Sequence, residues 1–102
     1  MDEFEKQLII TKGEQLIDVC TKKEFEKCHI TGAKNMNYRS ADFRCEMGKL
    51  DKTKPVLLYC LSGVRSKLAA SICKKEGFER IYELDMGLRR WLEVGKAVES
   101  GE

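Results

Sequence analysis

The sequence lacks any long hydrophobic run. Its longest apolar stretch, residues 56–61, is far shorter than the ~20 apolar residues that a membrane-spanning helix needs. The first six residues include three acidic side chains, whereas a signal peptide begins with a basic segment followed by an apolar one. We therefore expect no membrane partner and a cytoplasmic location.

An excess of one charge is also missing. Lysine and arginine contribute 19 positive charges against 17 negative ones, so the net charge is +2, and the two signs are interleaved along the chain. This pattern predicts no broad cationic face of the kind that binds a phosphate backbone. We expect no nucleic-acid partner.

The spacings typical of metal sites are absent as well. There is no Cys-x-x-Cys pair, and the sole histidine, His29, lies beside one cysteine, Cys28. We therefore expect no metal and no cofactor. An odd number of cysteines cannot all pair within one chain, so at least one thiol is predicted to be free. The five are Cys20, Cys28, Cys45, Cys60 and Cys73.

Neither repeats nor low-complexity linkers divide the chain. Its 102 residues suffice for one core, and the hydrophobic fraction of 42% is enough to build it. The charged fraction of 35% indicates a well-solvated surface rather than disorder. We predict a single domain over residues 1–102 and leave its oligomeric state open.

Strand-like and helix-like segments alternate along the chain. The strand candidates are residues 16–19, 55–60 and 81–84, with weaker ones at 8–10 and 33–37. The helix candidates are residues 21–28, 41–50, 64–76 and 87–94. Such alternation is typical of an α/β fold in which helices flank a central, mostly parallel sheet.

The helix predicted at 64–76 has the clearest pattern. An apolar stripe at helical spacing is expected to face the sheet. Gly77 and Phe78 predict a Schellman ending after the last turn, which makes Cys73 a core residue. The stripe consists of Val64, Leu68, Ala69, Ile72 and Cys73.

The strongest chemical signal lies between the most apolar strand and this helix. Cys60 ends the strand, and ligands of parallel sheets collect where strands end and helices begin. The helix dipole, converging backbone N–H groups and the nearby Arg65 all favour an ionised thiol, while burial opposes it. Gly63 permits the positive φ that such a curled loop requires, and Arg65 offers a planar fork to an oxyanion.

The segment resembles the active-site loop of the rhodanese-like sulfurtransferases, in which a cysteine, four intervening residues and an arginine surround one sulfur atom. Two further signatures are similar to those of the family. They are residues 16–19, 24–25, 29–33 and 35 towards the amino terminus, and residues 77–78 and 87–91 towards the carboxyl terminus. Three ordered signatures in so short a chain are a specific signal.

This resemblance implies a three-layer rhodanese-like fold and a thiosulfate sulfurtransferase activity. Cys60 would carry a sulfane sulfur as a persulfide, and Arg65 would hold the oxyanion of a small anionic donor such as thiosulfate. The acceptor would be cyanide, a thiol or a protein. The backbone N–H groups of the loop would bind the substrate and stabilise the persulfide. They belong to Leu61, Ser62, Gly63, Val64, Arg65 and Ser66.

The chain departs from the family pattern at several positions. Cys20 and Cys28 stand where the family more often has arginine and glycine, Thr31 replaces proline, and Met86 replaces a glycine. The region before residue 16 is short, so the leading helix of the family is either missing or replaced by residues 4–10.

Two alternatives stay open. A persulfide carrier or docking module in a sulfur-relay pathway would use the same loop. A cysteine-loop phosphatase or arsenate reductase is disfavoured, because those loops have five residues between cysteine and arginine, whereas Cys60 and Arg65 are separated by four.

Three other residues are expected to be structural. The histidine, His29, is interpreted as a hydrogen-bonding residue far from the loop. Asp18 is expected to orient the loop or to cap the following helix. Trp91 is expected to pack in the core.

Overall fold

The structure is a computed structural model that describes residues 2–101. Five helices and six strands follow one another along them, mostly in alternation, which confirms the predicted α/β class. In chain order they are α1 (Asp2–Thr11), β1 (Leu16–Asp18), α2 (Lys22–Lys27), β2 (His29–Ile30), β3 (Lys34–Asn35), α3 (Phe43–Gly48), β4 (Val56–Tyr59), α4 (Val64–Lys75), β5 (Ile81–Glu83), α5 (Gly87–Glu93) and β6 (Val98–Glu99).

A four-stranded parallel sheet forms the middle layer, in the order β3-β1-β4-β5. Because all four strands run the same way, the loops that follow them collect at one edge of the sheet. A separate two-stranded antiparallel ribbon joins β2 to β6. Among residues 2–101, no helix is long and apolar enough to cross a membrane.

The central strand β4 is buried on both faces, which explains its uninterrupted apolar sequence. Leu58 and Cys60 belong to a core cluster that includes residues of α3 and α4. Leu57 and Tyr59 belong to a second cluster that includes residues of α1 and α5. Helices on both faces of the sheet give the predicted three-layer arrangement.

The predicted strand at 8–10 is wrong, because these residues belong to α1. Phe4 is buried and packs edge to face on Trp91, with the ring centroids 6.3 Å apart. Leu8, one helical turn later, packs against the same cluster, while Ile9 and Ile10 face solvent. The helix thus occupies the leading position of the chain, and Trp91 lies in the core as expected.

The apolar stripe predicted for α4 is wrong in part. Val64 is 63% exposed and Leu68 is 49% exposed. The helix instead packs on the sheet through small side chains, which allow its backbone to lie close to the strands. These are Ser66, Ala69, Ala70 and Cys73.

The end of α4 follows the prediction. Gly77 has a φ of 97°, and its N–H donates to the Lys74 carbonyl at 3.1 Å. The N–H of Phe78 donates to the Cys73 carbonyl, also at 3.1 Å. These two bonds define a Schellman motif, and Cys73 is fully buried beneath it.

His29 joins the ribbon to the rest of the chain, in the structural role expected of it. Its ring is buried and stacks on Phe25 with a centroid separation of 3.7 Å. Nδ1 lies 2.7 Å from the Phe25 carbonyl, and Nε2 lies 3.1 Å from Oε1 of Glu99. These contacts hold β6 beside β2.

Candidate active site

The thiol of Cys60 lies at the carboxyl edge of the sheet, directly after β4, and is fully buried. Two backbone N–H groups donate to its sulfur: that of Gly63 at an N···Sγ distance of 3.1 Å and that of Ser66 at 3.4 Å. The thiol in turn lies 3.7 Å from Oγ of Ser66, which donates to the Gly63 carbonyl at 3.1 Å. The loop therefore surrounds the sulfur with hydrogen-bond donors.

The loop has further N–H groups with no acceptor among residues 2–101. One reason is that α4 begins here, and the first N–H groups of any helix have no partner within it. Together with the positive end of the helix dipole, they make the loop suited to an anion. The N–H groups concerned are those of Leu61, Ser62, Val64 and Arg65.

The curl of the loop depends on Gly63. This buried residue has a φ of 97°, a conformation that side chains other than glycine rarely adopt. A Cβ at this position would collide with the carbonyl oxygen of Asp85, in the turn after β5. The positive φ predicted for Gly63 is thus present, and close packing adds a second reason for glycine.

The beginning of α5 holds the loop from the other side. Leu88 N–H donates to the Cys60 carbonyl at 2.8 Å, and Arg89 N–H donates to the Leu61 carbonyl at 3.0 Å. Gly87, with a φ of 71°, allows this approach, since a Cβ there would lie 2.8 Å from the Cys60 carbonyl oxygen. The sequence marks residues 87–91 as part of a signature but does not reveal this role.

Arg65 lies beside the loop with its guanidinium already paired. Nη1 and Nη2 donate to the two carboxylate oxygens of Glu24 at 2.7 and 3.1 Å. This pairing, together with contacts to Thr21, lowers the pKa of Glu24 to about 2, and it raises the pKa of Arg65. The fork that was expected to receive a donor oxyanion is thus occupied by a carboxylate.

Glu24, in α2, connects this helix to Arg65 and so to the loop. Its Oε1 accepts hydrogen bonds from the N–H of Thr21 at 2.9 Å and from the hydroxyl of Thr21 at 3.1 Å. Thr21 Oγ1 accepts from the Glu24 N–H at 3.2 Å, which completes a capping box. The sequence marks Glu24 as part of a signature, but no local pattern connects it with Arg65, which is 41 residues away.

Asp18 has a different role from helix capping. Its Oδ1 accepts the N–H of Cys20 at 2.8 Å, while Thr21 caps α2. Its Oδ2 is buried and has no hydrogen-bond partner within residues 2–101. Burial raises the pKa of this carboxyl.

The other cysteines differ from Cys60 in their surroundings. Cys20 is buried, and burial together with the neighbouring Asp18 raises the pKa of its thiol. Burial also raises the pKa of Cys73, to about 12. These surroundings disfavour the thiolate, which is the nucleophilic form of cysteine. Cys28 is partly buried and Cys45 is exposed.

Residues 2–101 contain no group of three or more His, Cys, Asp or Glu side chains that could hold a metal ion.

The family model of the rhodanese-like domain matches residues 1–94. The chain belongs to the rhodanese-like family. The matched residues include the loop after Cys60, the capping box of α2 and the beginning of α5.

Relatives of this rhodanese-like chain carry several names. Uncharacterized protein YqhL of Bacillus subtilis is 40% identical over 77 residues, which are 76% of this chain and 60% of YqhL. Thiosulfate sulfurtransferase GlpE of Shewanella oneidensis is 33% identical over 89 residues, which are 86% of this chain and 85% of GlpE. Putative sulfur carrier protein YrkF of Bacillus subtilis is 28% identical over 91 residues, which are 89% of this chain and 48% of YrkF. The chain thus spans 60% of the length of YqhL and about half of that of YrkF.

Solved structures show the same fold. The Alr3790 protein from Anabaena superposes with a TM-score of 0.81 at 24% identity, over 95% of this chain and 88% of that one. The rhodanese-like domain protein from Staphylococcus aureus superposes with a TM-score of 0.79 at 22% identity, over 99% and 94% of the two chains. With the family match, these likenesses confirm the rhodanese-like fold.

Proposed function

We propose that this rhodanese-like protein is a sulfurtransferase that moves a sulfane sulfur from an anionic donor such as thiosulfate to a thiophilic acceptor, through a persulfide on Cys60. The observation that carries the proposal is the convergence of the Gly63 and Ser66 N–H groups on the Cys60 sulfur. The similarity to thiosulfate sulfurtransferase GlpE supports it.

The reaction has two steps. Cys60 loses its proton, and the thiolate attacks the outer sulfur of thiosulfate. A new S–S bond forms, the original S–S bond breaks, and sulfite leaves with the electron pair. In the second step an acceptor attacks the outer sulfur of the persulfide and releases the Cys60 thiolate, so that cyanide, for example, becomes thiocyanate.

In this proposal the loop amides stabilise the negative charge that develops on the outer sulfur. An outer sulfur would lie about 2 Å beyond Sγ, the length of an S–S bond. The amides without an acceptor, those of Leu61, Ser62, Val64 and Arg65, are the groups available to it. Preorganised donors of this kind contribute roughly 3 kcal/mol each to the stabilisation of a developing negative charge.

Arg65 supports the site indirectly in this proposal. Its bidentate pair with Glu24 fixes the first turn of α4 against α2, and its positive charge remains close to the loop. The anionic donor is then held chiefly by the loop amides and the helix dipole.

A steady-state assay with thiosulfate and cyanide tests the reaction. Cys60→Ser is expected to abolish thiocyanate formation, because the nucleophile is lost. The matched control is Cys45→Ser, since Cys45 is exposed and lies in α3. It should retain the wild-type rate. Equal rates for Cys60→Ser and the wild type would contradict the proposal.

The carrier alternative receives support from the similarity to putative sulfur carrier protein YrkF. A carrier would hold the same persulfide on Cys60 but would turn over thiosulfate and cyanide very slowly and would load rapidly from a persulfide-bearing protein. Loading and turnover rates measured on the same sample separate the two functions.

We place either reaction in the cytoplasm, where thiols stay reduced, because all five cysteines are free thiols.

A further inference from the structure

The outer edge of β5 is unpaired within residues 2–101. In the ladder with β4, Val56 N–H donates to the Arg80 carbonyl at 3.0 Å, and Leu84 N–H donates to the Leu58 carbonyl at 3.1 Å. In this register Leu57 lies opposite Tyr82, so the backbone groups that face β4 belong to every second residue of β5. The backbone groups of Ile81 and Glu83 therefore point away from β4, and they have no partner among the described residues.

A groove runs beside this edge, on the face of the sheet that α4 covers. Its volume is about 300 Å³, and its walls carry both signs of charge. Lys67 at one end pairs with Asp85 at 3.0 Å, whereas Lys74 at the other end forms no ion pair within residues 2–101. The lining residues are Lys67, Ala70, Ser71, Lys74, Ile81 and Glu83.

Glu83 is the groove residue that most needs a partner. Its Oε1 is buried and has no hydrogen-bond donor among residues 2–101. Burial raises the pKa of this carboxyl, and the positive charge of Lys67 offsets that effect only in part. Leaving a buried carboxylate oxygen unpaired costs free energy, so a donor supplied from outside the chain would be stabilising.

We infer that β5 pairs with β5 of a second copy of this chain, in an antiparallel arrangement with a two-fold axis between the Tyr82 residues. Ile81 of each copy then faces Glu83 of the other, and each facing pair exchanges two backbone hydrogen bonds. The result is a continuous eight-stranded sheet, formed from two four-stranded ones.

Charge complementarity favours a second copy as the occupant. The Lys67–Asp85 pair places Lys67 at the Glu83 end of the groove, so Lys74, about two helical turns further along α4, lies at the Ile81 end. A glutamate facing Ile81 therefore lies beside Lys74, and the two-fold axis repeats the Glu83–Lys74 contact on the other side. The buried carboxylate and the unpaired lysine satisfy each other in both copies.

The opposite face gives a second complementary contact. Tyr82 is partly buried and packs against the core cluster of α1 and α5. In the antiparallel arrangement the two Tyr82 residues form a directly opposite pair, in which side chains are close together. The two catalytic loops end up at opposite edges of the joined sheet, and both remain open.

Sedimentation of the full chain over a concentration series tests this inference. The wild type is expected to show a reversible monomer–dimer equilibrium. Lys74→Glu and Glu83→Lys each place like charges together twice per dimer, so each should raise the dimer Kd by at least about tenfold. The double variant restores opposite charges and should return the Kd to near the wild-type value. Lys75→Glu, the same charge change at an exposed neighbouring position, is the control and should have no effect.

Amide hydrogen exchange of the wild type provides a readout that needs no variant. The amides of Ile81 and Glu83 should become more protected as the concentration rises, while that of Tyr82, which faces β4, should not change. A chain that stays monomeric throughout the series would overturn the inference. So would a dimer that both single variants leave intact.

Discussion

At the scale of single residues, the site depends on one sulfur and the backbone that surrounds it. Cys60 and Cys73 are both buried thiols, but they differ in what faces them. Two N–H groups point at the sulfur of Cys60, whereas burial dominates around Cys73 and raises its pKa to about 12. Burial alone therefore does not distinguish a nucleophilic cysteine from a core cysteine in this chain. The direction of the neighbouring N–H groups distinguishes them.

Gly63→Ala tests the importance of this backbone. The substitution adds a Cβ at a φ of 97° and against the carbonyl of Asp85, so the loop must shift. We expect the turnover of thiosulfate to fall by roughly 100-fold, as displacements of about 1 Å commonly cause, with a lower melting temperature.

Gly48→Ala is the matched control for that substitution. Nothing lies within 4 Å of a Cβ built at Gly48. This variant should keep the wild-type rate, and its melting temperature should be equal to or higher than that of the wild type, because alanine favours the helix more than glycine does. A Gly63→Ala protein with the same rate as Gly48→Ala would show that the curl of the loop is not required.

At the scale of elements, the Glu24–Arg65 pair connects α2 to α4 and so to the loop. The pair lowers the pKa of Glu24 from its ordinary value of 4.5 to about 2. A lowered pKa in the folded state means that the pair stabilises the fold at all pH values above 4.5, and that this stabilisation is lost as the pH falls from 4.5 towards 2.

Glu24→Gln should therefore lower the free energy of unfolding at neutral pH, by about 1–2 kcal/mol for a partly exposed, charge-assisted pair. The difference from the wild type should shrink as the pH falls below 4.5. Urea unfolding at neutral pH and at several acidic pH values measures it.

Glu26→Gln is the control on the same helix, because it leaves Arg65 paired. A Glu24→Gln effect that is the same at every pH would show that the stabilisation does not come from the carboxylate. An effect no larger than that of Glu26→Gln would show that the ion pair contributes nothing measurable.

At the scale of the whole molecule, the parallel sheet places the loops that follow its strands at one edge. Sequence patterns predicted this arrangement well. Short-range signals decide it: the apolar run of β4 and the glycine that ends α4 are each recognisable within a few positions. The resemblance to the rhodanese-like family rested on the same segments.

The features that were not predicted depend on long-range contacts. The ribbon of β2 and β6 has two residues in each strand, and the His29–Glu99 contact that holds it joins residues 70 positions apart. The face that α4 buries is set by how closely Ser66 and its small neighbours approach the sheet, not by the most apolar stripe. The partner of Arg65 is likewise distant in sequence.

The central claim is that Cys60 carries the transferred sulfur. Intact mass spectrometry after incubation with thiosulfate, followed by peptide mapping and then by cyanide, tests it most directly. We expect a gain of one sulfur atom per chain, located on Cys60 and removed by cyanide. A sulfur found on Cys20, Cys28 or Cys45 instead, or an unchanged mass, would contradict it.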